Sequence, residues 1–315
     1  MQTSKLVILG AALALLAACG GGGGGPDTGG GNNGGGNDGG GNDGGGNGPT
    51  SNETLTNLTV SETFPTASGT LTGTVEPGDT VSGVSSSQSS LGTPVTLSYD
   101  AANNSYTVKI DQSGVSANTT FQASDRDVAG STATYDVFKR GDDQFVLFKP
   151  GNATKTLTYT TYGGWLRRTA SGDNIDFKTS FFVFGVRTPT DDMPTTGTAS
   201  YEAAVDGYWV SNGSLQVLTG DAALTADFAA GAMAGVFALN GTDQAGAAHG
   251  FDTFDGAASI TGNLFSGTMT GRDTNYEGEW DGGFFGPNAE EVGGSFRLAD
   301  PAESGNQAVG VFVGN

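Results

Sequence analysis

The sequence predicts an all-β protein, in which a small β region precedes an antiparallel up-and-down β-barrel of about eight strands. The 315 residues include 55 glycines, and only 15% of the residues are charged. This composition does not favour long amphipathic helices, whereas it suits short strands joined by tight turns. The second half also carries three Asn/Gly pairs that fit two-residue hairpin loops, which is typical of an up-and-down meander.

The charge balance and the scarcity of histidine and cysteine exclude several classes of function. The formal net charge is −20, from 13 Lys+Arg and 33 Asp+Glu, and basic residues occur at most in pairs. A chain of this charge repels phosphate backbones, so we predict no nucleic-acid partner. One His and one Cys also exclude most metal, Cys-His and Ser-His-Asp chemistry. We therefore predict a non-enzymatic protein without a catalytic residue or a metal site.

Residues 1–18 are predicted to be a secretory signal peptide. The uncharged run 6–18 follows Lys5 and would span about 20 Å as a helix, less than the roughly 30 Å of a bilayer core. The small residues before Cys19 resemble a bacterial lipobox, which implies cleavage there and acylation of Cys19. Gly20 after this cysteine resembles the outer-membrane sorting pattern. The resemblance implies a protein anchored to the outer membrane through acylated Cys19.

Residues 19–52 are predicted to be a disordered tether. The segment 20–48 is about two-thirds glycine, with Asn and Asp between the glycines. It contains nothing apolar that would offset the entropy cost of ordering, so we expect a random coil with a span of roughly 30 Å.

Residues 53–150 are predicted to form a small β domain. Tyr106, Val108 and Ile110 alternate with polar residues, as in a half-buried strand. A turn is expected at residues 139–143, and the domain is expected to end after Pro150. The predicted strands are 71–75, 95–99, 106–110, 135–138 and 145–148.

Residues 151–315 are predicted to form the barrel. Asn212-Gly213 and Asn240-Gly241 suit type I′ turns, and Gly262-Asn263 suits a type II′ turn. A sheet of about eight twisted strands closes because closure removes its unpaired edges. Ten candidate strands, some of which must merge or fail, are 157–166, 177–186, 197–209, 215–228, 233–239, 257–261, 264–270, 276–285, 292–298 and 308–313. Their outward positions are mainly polar, which argues against a membrane-spanning barrel.

The string WDGGFFGPNAEEVGGSF at residues 280–296 resembles the last barrel hairpin in the lobes of transferrin-binding protein B and related bacterial surface lipoproteins. Supporting fragments are 162–165, 181–185, 197–201, 265–268 and 310–312. The resemblance implies a single lobe, made of a handle-like β domain and an eight-stranded barrel. It also implies noncovalent capture of an iron source, which is haem, a haemoprotein or a host iron-carrier protein, and delivery to an outer-membrane transporter. The alternative is a structural, envelope-organising lipoprotein with no soluble ligand.

The single histidine is the candidate ligand-binding residue. His249 would ligate haem iron while Phe251 and Phe254 shield the porphyrin; the alternative is an ordinary exposed loop imidazole. Glu290 and Glu291 are interpreted as the solvated start of a strand rather than an acid/base pair, because adjacent strand residues point to opposite faces. The three tryptophans are expected in the barrel core or at its rim, and they are Trp165, Trp209 and Trp280.

Overall fold

The computed structural model describes residues 51–150 and 157–315, which form two antiparallel β-sheets. The predicted signal peptide, Cys19 and almost all of the predicted tether lie outside the described residues. Asn52, placed at the end of the tether, is buried, and its side-chain oxygen accepts the backbone N–H groups of Thr59 and Val60. In the described part of the chain, no helix has the length and apolar character needed to cross a membrane.

The first sheet contains eight strands in the spatial order β4-β3-β2-β1-β8-β7-β6-β5. We call it, with the residues 51–61 that precede it, the handle. Its strands are β1 (Glu62–Val75), β2 (Val81–Asp100), β3 (Ser105–Gln112), β4 (Val115–Phe121), β5 (Tyr135–Arg140), β6 (Asp143–Phe148), β7 (Thr160–Ser171) and β8 (Asn174–Gly185). Thr119 in the edge strand β4 donates a side-chain hydrogen bond to Asp143 in β6, which lies next to the other edge strand β5, so the sheet is nearly closed.

The five strands predicted in the first region are all present, but two strands predicted in the barrel belong to the handle. Strand β8 pairs with β1, and β7 pairs with β8 and β6. The sheets therefore divide between Gly185 and Thr198 rather than after Pro150. Trp165, expected in the barrel, is fully buried in the handle core instead. Apolar alternation identified β7 and β8 as strands, but it carries no information about which sheet they join.

The second sheet is a closed eight-stranded antiparallel barrel, as predicted. Strand β9 pairs with both β10 and β16, and this closes the sheet. The strands are β9 (Thr198–Ser211), β10 (Ser214–Asp227), β11 (Ala232–Thr242), β12 (Ala248–Thr261), β13 (Leu264–Gly271), β14 (Glu277–Phe285), β15 (Glu291–Ala299) and β16 (Gln307–Gly314).

Two of the three predicted hairpin turns are confirmed. Asn212 and Gly213 both have positive φ, at 51° and 74°, and Gly262 has φ 61° before Asn263. The prediction for Asn240-Gly241 is wrong, because both residues lie inside β11 and pair with β10 and β12. The chain turns instead at residues 243–247.

The barrel interior is filled by aromatic side chains packed against inward-facing glycines. Phe237 lies edge-on to Trp280 at 5.4 Å between ring centroids, and both side chains are fully buried. Gly256 faces Trp280, where an added Cβ would lie 3.1 Å from Cε2 of the indole. The barrel is therefore a packed core and not a channel.

The handle packs against the outside of the barrel through a shared apolar cluster. Val309, Val311 and Val313 alternate along β16 and face outward, and they belong to one cluster with Leu71 and Phe181 of the handle. Because this outward face of β16 is fully buried, the handle and the barrel share one continuous core at this contact.

Candidate partner-binding surface at one end of the barrel

Four barrel connections lie at the same end of the molecule because the strands alternate in direction. They are the turn at 212–213 and the loops 243–247, 272–276 and 300–306. The backbone N–H of Asn212 donates to the side chain of Asn306 at 2.8 Å, so the first and last of these connections are in contact. Six carboxylates lie in or beside these loops, and we call them the acidic rim: Asp243, Asp252, Asp255, Asp273, Asp300 and Glu303.

Asp243 orders the loop between β11 and β12. Its carboxylate accepts the backbone N–H groups of Ala245 and Ala247, each at 2.9 Å. Its second oxygen lies 2.9 Å from Nε2 of His249. The hydrogen bond from His249, together with those from the backbone, lowers the pKa of Asp243. The loop therefore carries a fixed negative charge at neutral pH.

Asp252 orders the loop between β13 and β14. It accepts the backbone N–H of Thr274 at 3.0 Å and the hydroxyl of Thr274 at 2.6 Å. Partial burial acts to raise the pKa of Asp252, but these hydrogen bonds outweigh it and the pKa lies below its usual value. Next to it, Arg272 forms an ion pair with Asp255 at 2.6 Å, which lowers the pKa of that carboxyl.

An aromatic cluster closes the barrel beneath the rim. Trp209 stacks on Phe251 with 4.0 Å between ring centroids and 9° between planes, and its Nε1 donates to the hydroxyl of Tyr276 at 3.0 Å. Phe254 packs edge-on to Phe251 at 5.1 Å. These contacts keep the four rings in fixed positions under the loops.

The structure brings the three predicted ligand-binding residues to the same end of the barrel, in different environments. The side chain of His249 is 45% exposed and bonded to Asp243. Phe251 and Phe254 are buried in the aromatic cluster, where protein rings pack against them. Of the three, only His249 therefore presents its side chain to solvent.

The barrel is much more acidic than the handle. Residues 186–315 carry seventeen Asp and Glu but no Lys, and their three arginines are Arg187, Arg272 and Arg297. Arg297 donates to Ser86 of the handle, and Arg272 is paired with Asp255. The acidic rim thus has little compensating charge, and it attracts basic surfaces.

The rim carboxylates do not form a metal site. Within residues 51–150 and 157–315, no group of three or more His, Cys, Asp or Glu side chains is arranged to hold a metal ion. The carboxylates instead bind backbone N–H groups, hydroxyls and Arg272. Their arrangement stabilises loops and presents charge.

The sequence did not predict that two carboxyl groups lie buried between the sheets. Glu291, predicted to be solvated, is 4% exposed and binds the segment before β7, whereas its neighbour Glu290 is exposed. Asp206 is buried against Tyr162 of the handle. Alternation along β15 could place Glu291 on one face, but no local signal shows that the handle covers that face.

Comparisons with known proteins support the resemblance read from the sequence. The family model described as the C-lobe and N-lobe beta barrels of Tf-binding protein B matches residues 193–315. A search of curated protein sequences found no match. The fragments 162–165 and 181–185, predicted to be barrel strands, lie outside the matched residues and in the handle.

Three solved structures align with most of this chain at low sequence identity. A mutant of Transferrin Binding Protein B (TbpB) from Haemophilus parasuis Hp5 is 15% identical with a TM-score of 0.40, covering 84% of this chain and 78% of that chain. TbpB isotype 1 from Neisseria meningitidis is 18% identical with a TM-score of 0.43, covering 78% and 43%. HpuA from Kingella denitrificans, solved in complex with human haemoglobin, is 18% identical with a TM-score of 0.40, covering 84% and 92%.

The family match covers every barrel strand, from β9 to β16. The barrel is thus matched from its first strand to its last by the β-barrel family of Tf-binding protein B lobes, as the sequence resemblance predicted.

Proposed function

We propose that this protein is a lipid-anchored binding module on the bacterial surface that captures a host iron-carrier protein or a haemoprotein noncovalently. The observation that carries this proposal is the family match over the whole barrel, because that family is named for binding of a protein ligand rather than for a reaction. The fold alone does not fix the ligand, since one scaffold carries different binding sites.

The acidic rim is the surface that we propose for the partner. Its loops are held by hydrogen bonds from backbone and side chains to Asp243 and Asp252, so little conformational entropy is lost on binding. A rim of negative charge accelerates encounter with a partner that presents basic residues.

Anchoring is proposed to follow from Cys19 and the glycine-rich segment after it. Acyl chains on Cys19 would hold the protein on the outer membrane, since each buried CH₂ contributes about 0.8 kcal/mol. A flexible segment of roughly 30 Å would then let the handle and barrel reach a partner beyond the membrane surface. A separate outer-membrane transporter would receive the iron source from the captured partner.

Direct capture experiments test the function. The full chain is incubated with immobilised human transferrin, with immobilised human haemoglobin and with haem-agarose, and an immobilised serum albumin surface serves as the control. We expect saturable capture by transferrin or haemoglobin but not by albumin. Absence of capture on every iron-bearing surface would contradict the proposal and favour the envelope-organising alternative.

Haem is tested separately through the histidine. His249 remains the candidate iron ligand, without the help of Phe251 and Phe254, whose rings pack within the protein. If haem-agarose retains the chain, His249→Ala should abolish the retention. It should also abolish the change in the haem absorbance spectrum that accompanies binding. Retention that is unchanged in His249→Ala would show that His249 does not ligate the haem iron.

A further inference from the structure

A cavity of about 260 Å³ lies in the handle. Its lining residues are distinct from the barrel loops of the acidic rim. It is found where strands β3, β5 and β7 begin and where β6 and β8 end. Residues 51–61 form one side of it, through Leu55, Thr56 and Leu58. Its size is close to the lower limit of small-molecule sites in proteins.

The side of the cavity formed by residues 51–61 is an ordered segment. The side chain of Asn52 binds Thr59, Val60 and Glu62, which closes the segment on itself. The backbone N–H of Leu55 also donates to the carbonyl of Thr158 at 2.9 Å. The wall is therefore built before any ligand arrives, and binding would cost little ordering of the chain.

About half of the cavity wall is apolar, and five side chains form this part. They are Leu55, Leu58, Leu147, Phe148 and Phe184. Four of these five side chains belong to, or pack against, the apolar core of the handle. A volume of this size accommodates about a dozen non-hydrogen atoms at protein packing density. A ligand that fills it must therefore be small, with an apolar part against these five side chains and a polar part against the rest of the wall.

The charged residues that line the cavity are Asp136 and Lys149, and Arg126 lies next to them. The carboxylate of Asp136 is shared by two cations, with Arg126 at 2.6 Å and Lys149 at 3.1 Å from the same oxygen. One carboxylate between two cations leaves one positive charge uncompensated at this point. The ammonium group of Lys149 also donates to the carbonyl of Thr132 at 3.0 Å, so an anionic ligand would reach it beside these two partners.

A phenol in the cavity wall offers a further hydrogen bond. The ring of Tyr106 packs against Phe138 and Phe145, but within the described residues its hydroxyl makes no hydrogen bond to protein. Burial raises the pKa of Tyr106 to about 12, so the hydroxyl keeps its proton at neutral pH. It can therefore donate to an oxygen of a ligand.

We propose that the handle cavity binds a small amphipathic carboxylate, whose apolar body packs between the leucines and phenylalanines and whose carboxylate meets Lys149 and the hydroxyl of Tyr106. The site is separate from the acidic rim and does not depend on the partner of the barrel. The chemistry is shared by short fatty acids and by aromatic acids of similar size.

Calorimetric titration of the purified chain as its Cys19→Ala variant, which carries no acylated thiol, tests the site. The ligands are octanoate, 4-phenylbutyrate, octanol and octylamine, each below the concentration at which it aggregates. We expect at least one of the two carboxylates to bind with a dissociation constant below about 1 mM, and octylamine to bind at least tenfold more weakly. The lower of the two dissociation constants shows whether the cavity prefers a ligand with an aliphatic chain or one with an aromatic ring. No binding of either carboxylate, or equal binding of octylamine, would overturn the proposal.

Matched variants locate the binding. Lys149→Met should weaken carboxylate binding about tenfold and leave octanol unaffected, because it removes the charge and keeps the length of the side chain. Tyr106→Phe should weaken it by a smaller factor. The control is Lys139→Met, which breaks a comparable handle ion pair, 2.6 Å from Asp127, outside the cavity. If Lys139→Met weakens binding as much as Lys149→Met, or if Lys149→Met has no effect, the proposed site is wrong. Thermal unfolding of each variant verifies that it is folded.

Discussion

The phenol of Tyr162 in the handle donates a hydrogen bond to the carboxyl group of Asp206 in the barrel, and both side chains are buried between the two sheets. The second carboxyl oxygen of Asp206 has no hydrogen-bond partner within the described residues. Burial raises the pKa of Asp206 to about 7, although the bond from Tyr162 acts in the opposite direction. The contact between handle and barrel therefore contains a carboxyl group that holds its proton to a higher pH than an exposed Asp does.

Asp206 should make the stability of the protein depend on pH. Its pKa is higher in the folded than in the unfolded chain, so its contribution to stability is lost as pH rises from about 4 through about 7. Asp206→Asn stays neutral and should remove this dependence. Urea unfolding at about pH 5 and about pH 8 measures the effect. We expect the wild type to lose more stability than Asp206→Asn between the two pH values; equal losses in both proteins would contradict the assignment.

Glu291 should contribute far more to stability than its neighbour Glu290. The carboxylate of Glu291 accepts the backbone N–H groups of Thr158, Tyr159 and Thr160 at 2.6, 2.9 and 2.8 Å. Glu291→Ala leaves these donors without a partner at a buried contact, and we expect a loss of about 3 kcal/mol in the free energy of unfolding. Glu290→Ala, which changes an exposed residue, should cost less than about 0.5 kcal/mol. Similar losses in both variants, measured by urea unfolding, would show that the hydrogen bonds of Glu291 do not hold the handle to the barrel.

A methyl group added at Gly310 should destabilise the barrel core. An added Cβ there would lie 2.5 Å from Cζ of Phe296 and 2.7 Å from the carbonyl oxygen of Asp206. We expect Gly310→Ala to lower the free energy of unfolding by about 2 kcal/mol. Gly250→Ala is the control, since an added Cβ at that position of β12 has no atom within 4 Å. A Gly310→Ala protein as stable as Gly250→Ala would contradict the observed packing.

Cys19 should determine whether the protein stays on the membrane. Without its thiol no acyl chain can be added, and we expect Cys19→Ala to move from the membrane fraction to the soluble fraction of lysed cells. Ser4→Ala, elsewhere in the predicted signal peptide, should leave the distribution unchanged. Membrane association that persists in Cys19→Ala would contradict the anchor. Exposure of intact wild-type cells to added protease then shows whether the barrel faces the outside.

The strands could be predicted from the sequence because apolar alternation and turn glycines are local signals. Residues such as Tyr106 and Val108 show the period of two directly, and Gly262 shows its turn. The sheet to which β7 and β8 belong could not be predicted, since pairing with β1 joins residues about a hundred positions apart. The environments of Glu291 and Phe251 could not be predicted either, because they depend on residues distant in the sequence. The hydrogen bonds to Glu291 come from residues more than 130 positions earlier, and Phe251 is in the core because of its stack on Trp209.

The acidic rim is the surface that we propose for capture of the partner. The most direct test is the association rate with human transferrin and human haemoglobin, measured by biolayer interferometry for two variants of equal net charge. Asp273→Lys with Glu303→Lys reverses charge in the rim, and Glu202→Lys with Asp221→Lys reverses it on exposed positions of β9 and β10. We expect the rim variant to bind the captured partner at least about tenfold more slowly, and the control to change by less than about twofold. Equal rates for the two variants would contradict the claim that the rim is the binding surface.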